Sequence, residues 1–270
     1  MIAMKNLRFF PVLSLALAVA LVFATTLPGS EYELKARMQK KAYRNAAGEV
    51  LRYRLYVPRN YDPKEKYPLV LFLHGPWERG EDNQAQLKHP EVLRFVSDAV
   101  QSRHPCFMVA PQCPKEQKWV DVPWGAIQPS ATPKEPSPPL RLVMELLDEL
   151  QRQYPIDPAR RYVTGMAMGA FGALDLLLRR PDYWAAAVPV CGGGDNSRAP
   201  EMAQVPMWFF HGDKDTNVPV ERSRTMVAAL RAAQGTVRYT EYKGVFHNAW
   251  TVAYNDPELV DWLFSHQRGR

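Results

Sequence analysis

Polarity along the chain switches between two periods. Residues 49–57 alternate apolar Leu51, Tyr53, Leu55 and Val57 with Arg52 and Arg54, the pattern of a strand with one wet face. Pro58 to Pro63 breaks it. Residues 67–73, Tyr-Pro-Leu-Val-Leu-Phe-Leu, carry no charge and predict a strand covered on both faces. Further short apolar runs at 107–110, 162–164, 185–190 and 205–210 predict strands. Between them, helical spacing appears near 91–103, 139–153, 170–180 and 220–234, with Leu142, Val143, Leu146, Leu147 and Leu150 forming one apolar stripe. Alternation of this kind predicts an α/β domain, a mostly parallel sheet with helices on both faces. The proline-rich stretch 128–140 reads as a stiff surface loop before the second of these helices.

The first residues follow a different logic. Lys5 and Arg8 precede an apolar run from Phe9 to Ala24, too short for a comfortable membrane span and suited to a signal-peptide core, with Val22 and Ala24 at the positions a signal peptidase reads. The expected organisation is a signal peptide over 1–24, a connection over 25–44 and one domain over 45–270, exported to a secreted or periplasmic location. Membrane attachment arises only if the segment stays uncleaved. The 270 residues are 46% hydrophobic and 23% charged, an ordinary globular balance. A formal charge of +6 is scattered without a basic stripe, which argues against nucleic-acid binding. Cys106, Cys113 and Cys191 have no metal-ligand spacing and allow at most one disulfide. They read as small buried residues, and neither a metal nor a cofactor is expected.

Candidate chemistry lies just after the strands, where open parallel sheets bind their ligands. Residues 162–172, Tyr-Val-Thr-Gly-Met-Ala-Met-Gly-Ala-Phe-Gly, run from strand to glycine-bounded turn to apolar helix. That is the setting of a G-x-S-x-G nucleophile elbow, with Ala167 in the serine position. Three other strand-end segments stand out: residues 74–80 from His74 to Gly80, 211–219 from His211 to Pro219, and 244–250 from Gly244 to Trp250.

The landmarks LFLHG with ERGEDN, APQCP, YVTGMAMGAFG, VPVCGGGD, HGDKDTNVP and GVFHNAW, in this order over about residues 45 to 265, resemble the α/β-hydrolase superfamily. The resemblance is to secreted phospholipase/carboxylesterase and polyhydroxyalkanoate-depolymerase-like enzymes, also described as prolyl-oligopeptidase-like hydrolases. It implies an α/β-hydrolase fold and a small-molecule or polymer ester as partner. The family order of nucleophile, acid and histidine falls on Ala167, Asp215 and His247. His247 would be the general base and Asp215, in preference to Asp213, its orienting carboxylate. His74 and His211 read as structural supports, and His89, His104 and His266 as residues in polar surroundings. Met168 N–H would be one oxyanion donor and the loop after His74-Gly75 the other. Pro76 has no N–H to offer. Either a donor is lost with the nucleophile, or Trp77 supplies it. Because Pro76, Trp77, Ala167 and Ala170 all depart from the family's small, glycine-rich pattern, natural degeneration accounts for them better than one deliberate substitution. Two functions compete: an ester hydrolase scaffold impaired at its nucleophile, and a pseudo-hydrolase holding an apolar or sugar-bearing ligand in a pocket enriched by Trp77, Trp124 and Trp250.

Overall fold

A computed structural model describes residues 30–269; the expected signal peptide, residues 1–24, lies outside them. Eight strands form one sheet: β1 (Gln39–Arg44), β2 (Val50–Tyr56), β3 (Tyr67–Leu73), β4 (Phe107–Pro111), β5 (Ile156–Met166), β6 (Ala186–Val190), β7 (Met207–Gly212) and β8 (Val237–Tyr242). The helices are α1 (Glu31–Arg37), α2 (Asp98–Gln101), α3 (Pro138–Gln153), α4 (Met168–Arg179), α5 (Ala199–Met202), α6 (Glu221–Ala232), α7 (Trp250–Ala253) and α8 (Leu259–Ser265). Spatial order is β1-β2-β4-β3-β5-β6-β7-β8, antiparallel where β2 meets β1 and β4 and parallel elsewhere. This is the mostly parallel α/β sheet that the alternation of periods predicts, in the α/β-hydrolase arrangement that the resemblance implies.

The continuous apolar runs divide residue by residue between two cores. Leu69, Leu71 and Leu73 of β3 join the layer filled by α3, α4, α5 and α6. Val70 and Phe72 face the layer formed by the 3-10 segment Pro90–Val96, α7 and α8. The same division holds for Met207 and Phe209 against Trp208 and Phe210 in β7. Period-2 geometry with both faces covered therefore removes the polar positions that β2 retains.

Several segments depart from expectation, among them β8, which no apolar run predicts. Residues 31–44, expected as part of a connection, contain α1 and the edge strand β1, whose register pairs Gln39 with Leu55 through Arg44 with Val50. The expected helix near 91–103 is instead a 3-10 segment, Pro90–Val96, followed by the short α2. Ser97 ends the first in extended conformation and caps the second through its side chain. Among the described residues no helix is long and apolar enough to cross a membrane.

Connectivity selects the functional crevice. The chain passes from β3 outward to β4 and then returns to the other side of β3 as β5, so the strand order reverses between β3 and β5. Ligands bind at such switch points, beyond the carboxyl ends of the strands. Leu73 pairs with Gly165 there, placing His74-Gly75 beside the turn that contains Ala167.

Candidate active site

Ala167 follows β5 and caps α4 with φ 50° and ψ −119°, a left-handed conformation that an L-residue adopts at a cost of about 1–3 kcal/mol. Packing holds it there. Its N–H donates to Val190 O at 2.9 Å, and its carbonyl accepts from Ala170 N at 2.9 Å. A β-carbon on Gly165 would stand 2.2 Å from Gly169 O, and one on Gly169 would stand 1.9 Å from Leu73 O. Only glycine lets strand, turn and helix approach this closely. The turn thus keeps its strained geometry with a methyl group at position 167.

His247 lies on the loop after β8, and its Nδ1–H donates to Asp215 Oδ2 at 2.6 Å. Asp215 comes from the turn after β7; its side chain is fully buried, and its Oδ1 accepts from Asn217 N and Val218 N, each at 2.9 Å. Burial pushes this carboxyl up, but hydrogen bonds from His211 and His247, the His247 charge and Val218 N–H outweigh it and hold the pKa well below the usual carboxylate range. A buried anion on Nδ1 fixes the His247 tautomer and leaves Nε2 as the basic nitrogen. Asp213 instead accepts from Gly244 N at 2.6 Å, bracing the loop that carries His247. Trp77 and Trp250 flank the imidazole, with ring centroids 6.0 and 5.4 Å away. Trp124 packs against the α3/α4 core, with Lys118 5.1 Å from its ring.

The loop after β3 crosses directly over Ala167: a β-carbon on Gly75 would lie 3.7 Å from Ala167 Cβ. Pro76 opens a 3-10 turn, Pro76–Glu78. Trp77 N–H and Met168 N–H both belong to first helical turns, where backbone donors lack intrahelical partners. His74 is a support. Its Nδ1 donates to Gly75 O at 2.7 Å, its Nε2 accepts from Cys113 N at 2.9 Å, and burial lowers its pKa to about 4.

Some contacts exceed the sequence reading. His211 touches the acid itself, with Nε2 3.0 Å from Val218 O and 3.2 Å from Asp215 Oδ2, and Nδ1 2.7 Å from Ser223 Oγ. Ser223, His211 and Asp215 form a serine–histidine–carboxylate chain, but Ser223 is fully buried and its hydroxyl reaches Gly192 O at 2.7 Å. It supports the acid and offers a substrate no nucleophile. His89, expected in polar surroundings, packs on Trp250 at 5.2 Å and meets the buried carboxylate of Glu78 at 3.2 Å. His104 stacks on Phe264 at 4.7 Å as well as meeting Asp261 at 2.9 Å, and His266 lies 4.5 Å from Trp262. Fold-level proximity, invisible in linear order, creates these contacts.

All three cysteines are free and buried. Burial pushes the Cys106 and Cys113 thiols up to about 12 and raises Cys191 further. Ligand atoms of Cys191, His211 and Asp215 lie within 4.8 Å of one another. A metal there would need the Cys191 thiolate, which burial and the neighbouring Asp215 charge disfavour, and would displace the hydrogen bonds just described.

Sheet order, elbow and histidine–carboxylate pair define an α/β-hydrolase. The family model described as "Putative esterase" matches residues 45–236, and the chain belongs to this esterase family. A solved thermostable esterase is 36% identical with a TM-score of 0.81; the match covers 87% of this chain and 64% of that one, so this chain spans less than two thirds of that relative. A ferulic acid esterase from Anaeromyces mucronatus shares the fold at 16% identity, with a TM-score of 0.60 over 83% of this chain and 89% of that one. A poly(3-hydroxyalkanoate) depolymerase from Paucimonas lemoignei is 37% identical over 51 residues, 19% of this chain and 12% of that protein.

Proposed function

We propose that the chain is an exported carboxylic-ester-binding member of the esterase family in which hydrolysis is silenced at Ala167. The observation that carries this reading is the elbow at φ 50° and ψ −119° beside an intact His247–Asp215 pair at 2.6 Å. With serine at 167, His247 Nε2 takes the Oγ proton as Oγ attacks the ester carbonyl. Met168 N–H and a donor from the 75–77 loop then receive the oxyanion; as the intermediate collapses the ester C–O bond breaks and His247 returns the proton to the departing alcohol, and water, deprotonated by His247, then releases the acyl group and frees Oγ. Alanine removes the first bond of that sequence. Loss of the nucleophile costs on the order of 10⁶ in turnover, leaving about 10³–10⁴ over water from binding and oxyanion contacts. Residual turnover would proceed by His247-assisted attack of water, without an acyl-enzyme.

A second reading, ligand binding as the present role, draws support from the apolar rim beside His247, where Trp77 is 61% and Phe246 58% exposed. The N-terminal sequence supports export. Ester turnover on a short-chain aryl ester separates the readings. Ala167→Ser should gain at least about 10³-fold over the unaltered chain. Adding Pro76→Ala should change that by less than about threefold if Trp77 supplies the second donor, and should raise it by about 10²-fold if position 76 does. No gain from Ala167→Ser leaves ligand binding as the better account.

A further inference from the structure

Trp77 is the middle residue of the 3-10 turn Pro76–Glu78, and the turn is pinned on both flanks. Arg79 Nε donates to Pro76 O at 2.8 Å, and its Nη1 donates to Gln117 O at 3.1 Å. The Glu78 side chain is buried with Oε1 3.2 Å from His89 Nε2, while Glu78 O accepts from Gln112 Nε2 at 3.2 Å. Gly80 N–H donates to Cys113 O at 3.0 Å and closes the segment. Trp77 therefore stands on a braced backbone, yet it is 61% exposed. A large, rigid apolar side chain held out in this way has surface left for a ligand.

That surface lies at the reacting groups. The Trp77 ring centroid is 6.0 Å from that of His247, at an interplanar angle of 65°. The second indole on this imidazole, Trp250, is 5.4 Å away but only 8% exposed, and its ring also packs 5.2 Å from His89, so it has little surface to offer. The loop that carries Trp77 passes over residue 167, where a β-carbon on Gly75 would lie 3.7 Å from Ala167 Cβ. One short segment thus brings its backbone to the elbow and its indole to the base.

We infer that Trp77 binds the alcohol portion of the ester, so that the site selects esters of apolar alcohols. The inference rests on the ester-binding reading above. In Ala167→Ser, the bond between the carbonyl carbon and the alcohol oxygen breaks as His247 passes the proton taken from Oγ to that oxygen, so the alcohol oxygen lies within hydrogen-bond reach of Nε2. The carbonyl oxygen is directed to the N–H donors of Met168 and the 75–77 loop. The first carbons of the alcohol portion are then held beside the imidazole, and the exposed indole on that imidazole is Trp77. The acyl chain leaves the carbonyl carbon along a different bond and meets other walls. An indole offers two apolar faces and one N–H at its edge, so the group that gains most from it is apolar and uncharged.

Ala167 allows binding to be measured on intact esters, and isomeric pairs cancel differences in overall hydrophobicity. In calorimetry with the unaltered chain, benzyl acetate should bind at least about fivefold more tightly than its isomer methyl phenylacetate, because only the first carries its ring on the alcohol oxygen. Hexyl acetate should likewise bind more tightly than its isomer ethyl hexanoate. In Ala167→Ser the same order should appear in KM, with kcat changing less. Trp77→Ala, which keeps the backbone N–H and alters an exposed side chain, should bring each pair to within about twofold, and Trp77→Phe should keep most of the preference. Equal affinities within the pairs on the unaltered chain, or a preference for methyl phenylacetate, overturn the inference without any variant, as does an equal loss for both isomers in Trp77→Ala. Turnover by Ala167→Ser distinguishes the failures: turnover of both isomers without preference removes only the Trp77 assignment. Absence of both binding and turnover removes the ester site and the assignment together.

Discussion

Replacing Asp215 with asparagine should expose how far the fold depends on this buried carboxylate. The carboxylate accepts from four directions: Asn217 and Val218 N–H on Oδ1, and His247 Nδ1 and His211 Nε2 at 2.6 and 3.2 Å on Oδ2. An amide can serve only one pair. Oriented with its oxygen toward the backbone, it turns an NH₂ group against two ring N–H donors; flipped, it faces two backbone donors. His247 can change tautomer, but His211 cannot do so without abandoning Val218 O at 3.0 Å. Breaking a buried charged pair costs about 3–5 kcal/mol. At roughly 2–4 °C per kcal/mol for a domain of this size, the melting temperature should fall by about 10 °C.

The pH dependence follows from the depressed carboxyl. Its contribution is fully present above the unfolded value near 3.9 and is lost as pH falls toward the lower folded value, by about 1.4 kcal/mol per pH unit. Urea unfolding of the parent and Asp215→Asn at pH 7, 5, 4 and 3 should show a constant gap down to about pH 5 that narrows below about pH 4. A gap under about 1 kcal/mol at pH 7, or one that widens at pH 3, refutes the reasoning.

The three thiols, buried and raised by that burial, should resist iodoacetamide at pH 8 in the native protein, and all three should react in urea; native alkylation of any one contradicts the packing described here. Gly169→Ala places a β-carbon 1.9 Å from Leu73 O and should destabilise by more than about 3 kcal/mol in urea, whereas Gly48→Ala, at φ 83° with open space around it, should cost about 1 kcal/mol. Similar losses for the two would remove the steric account of the elbow.

Much of this was legible in the chain because the signals were local. The α3 stripe, the uncharged β3 run and the glycine-bounded elbow each lie within one short window. The edges were less legible. In β1, Gln-Lys-Lys-Ala-Tyr-Arg is exposed along nearly its whole length, so it lacks the apolar face that marks a strand. In β8, the half-buried Val-Arg-Tyr-Thr-Glu-Tyr alternates too weakly to stand out. His247 and Asp215 could be assigned from family order, since the motifs carry it. The His211–Asp215–Ser223 chain and the buried Arg222 depend on contacts between distant segments. An arginine in Glu-Arg-Ser-Arg reads as a solvated face until Gln128 and Phe171 are brought against it.

The proposed silencing comes down to one missing oxygen at position 167. Intact-mass measurement after incubation with an aryl phosphonate ester tests it directly. The unaltered chain should gain no mass, and Ala167→Ser should gain one phosphonyl group located on the new serine, at a rate that collapses in Ala167→Ser with His247→Ala. An adduct on the unaltered chain, or none on Ala167→Ser, contradicts the account.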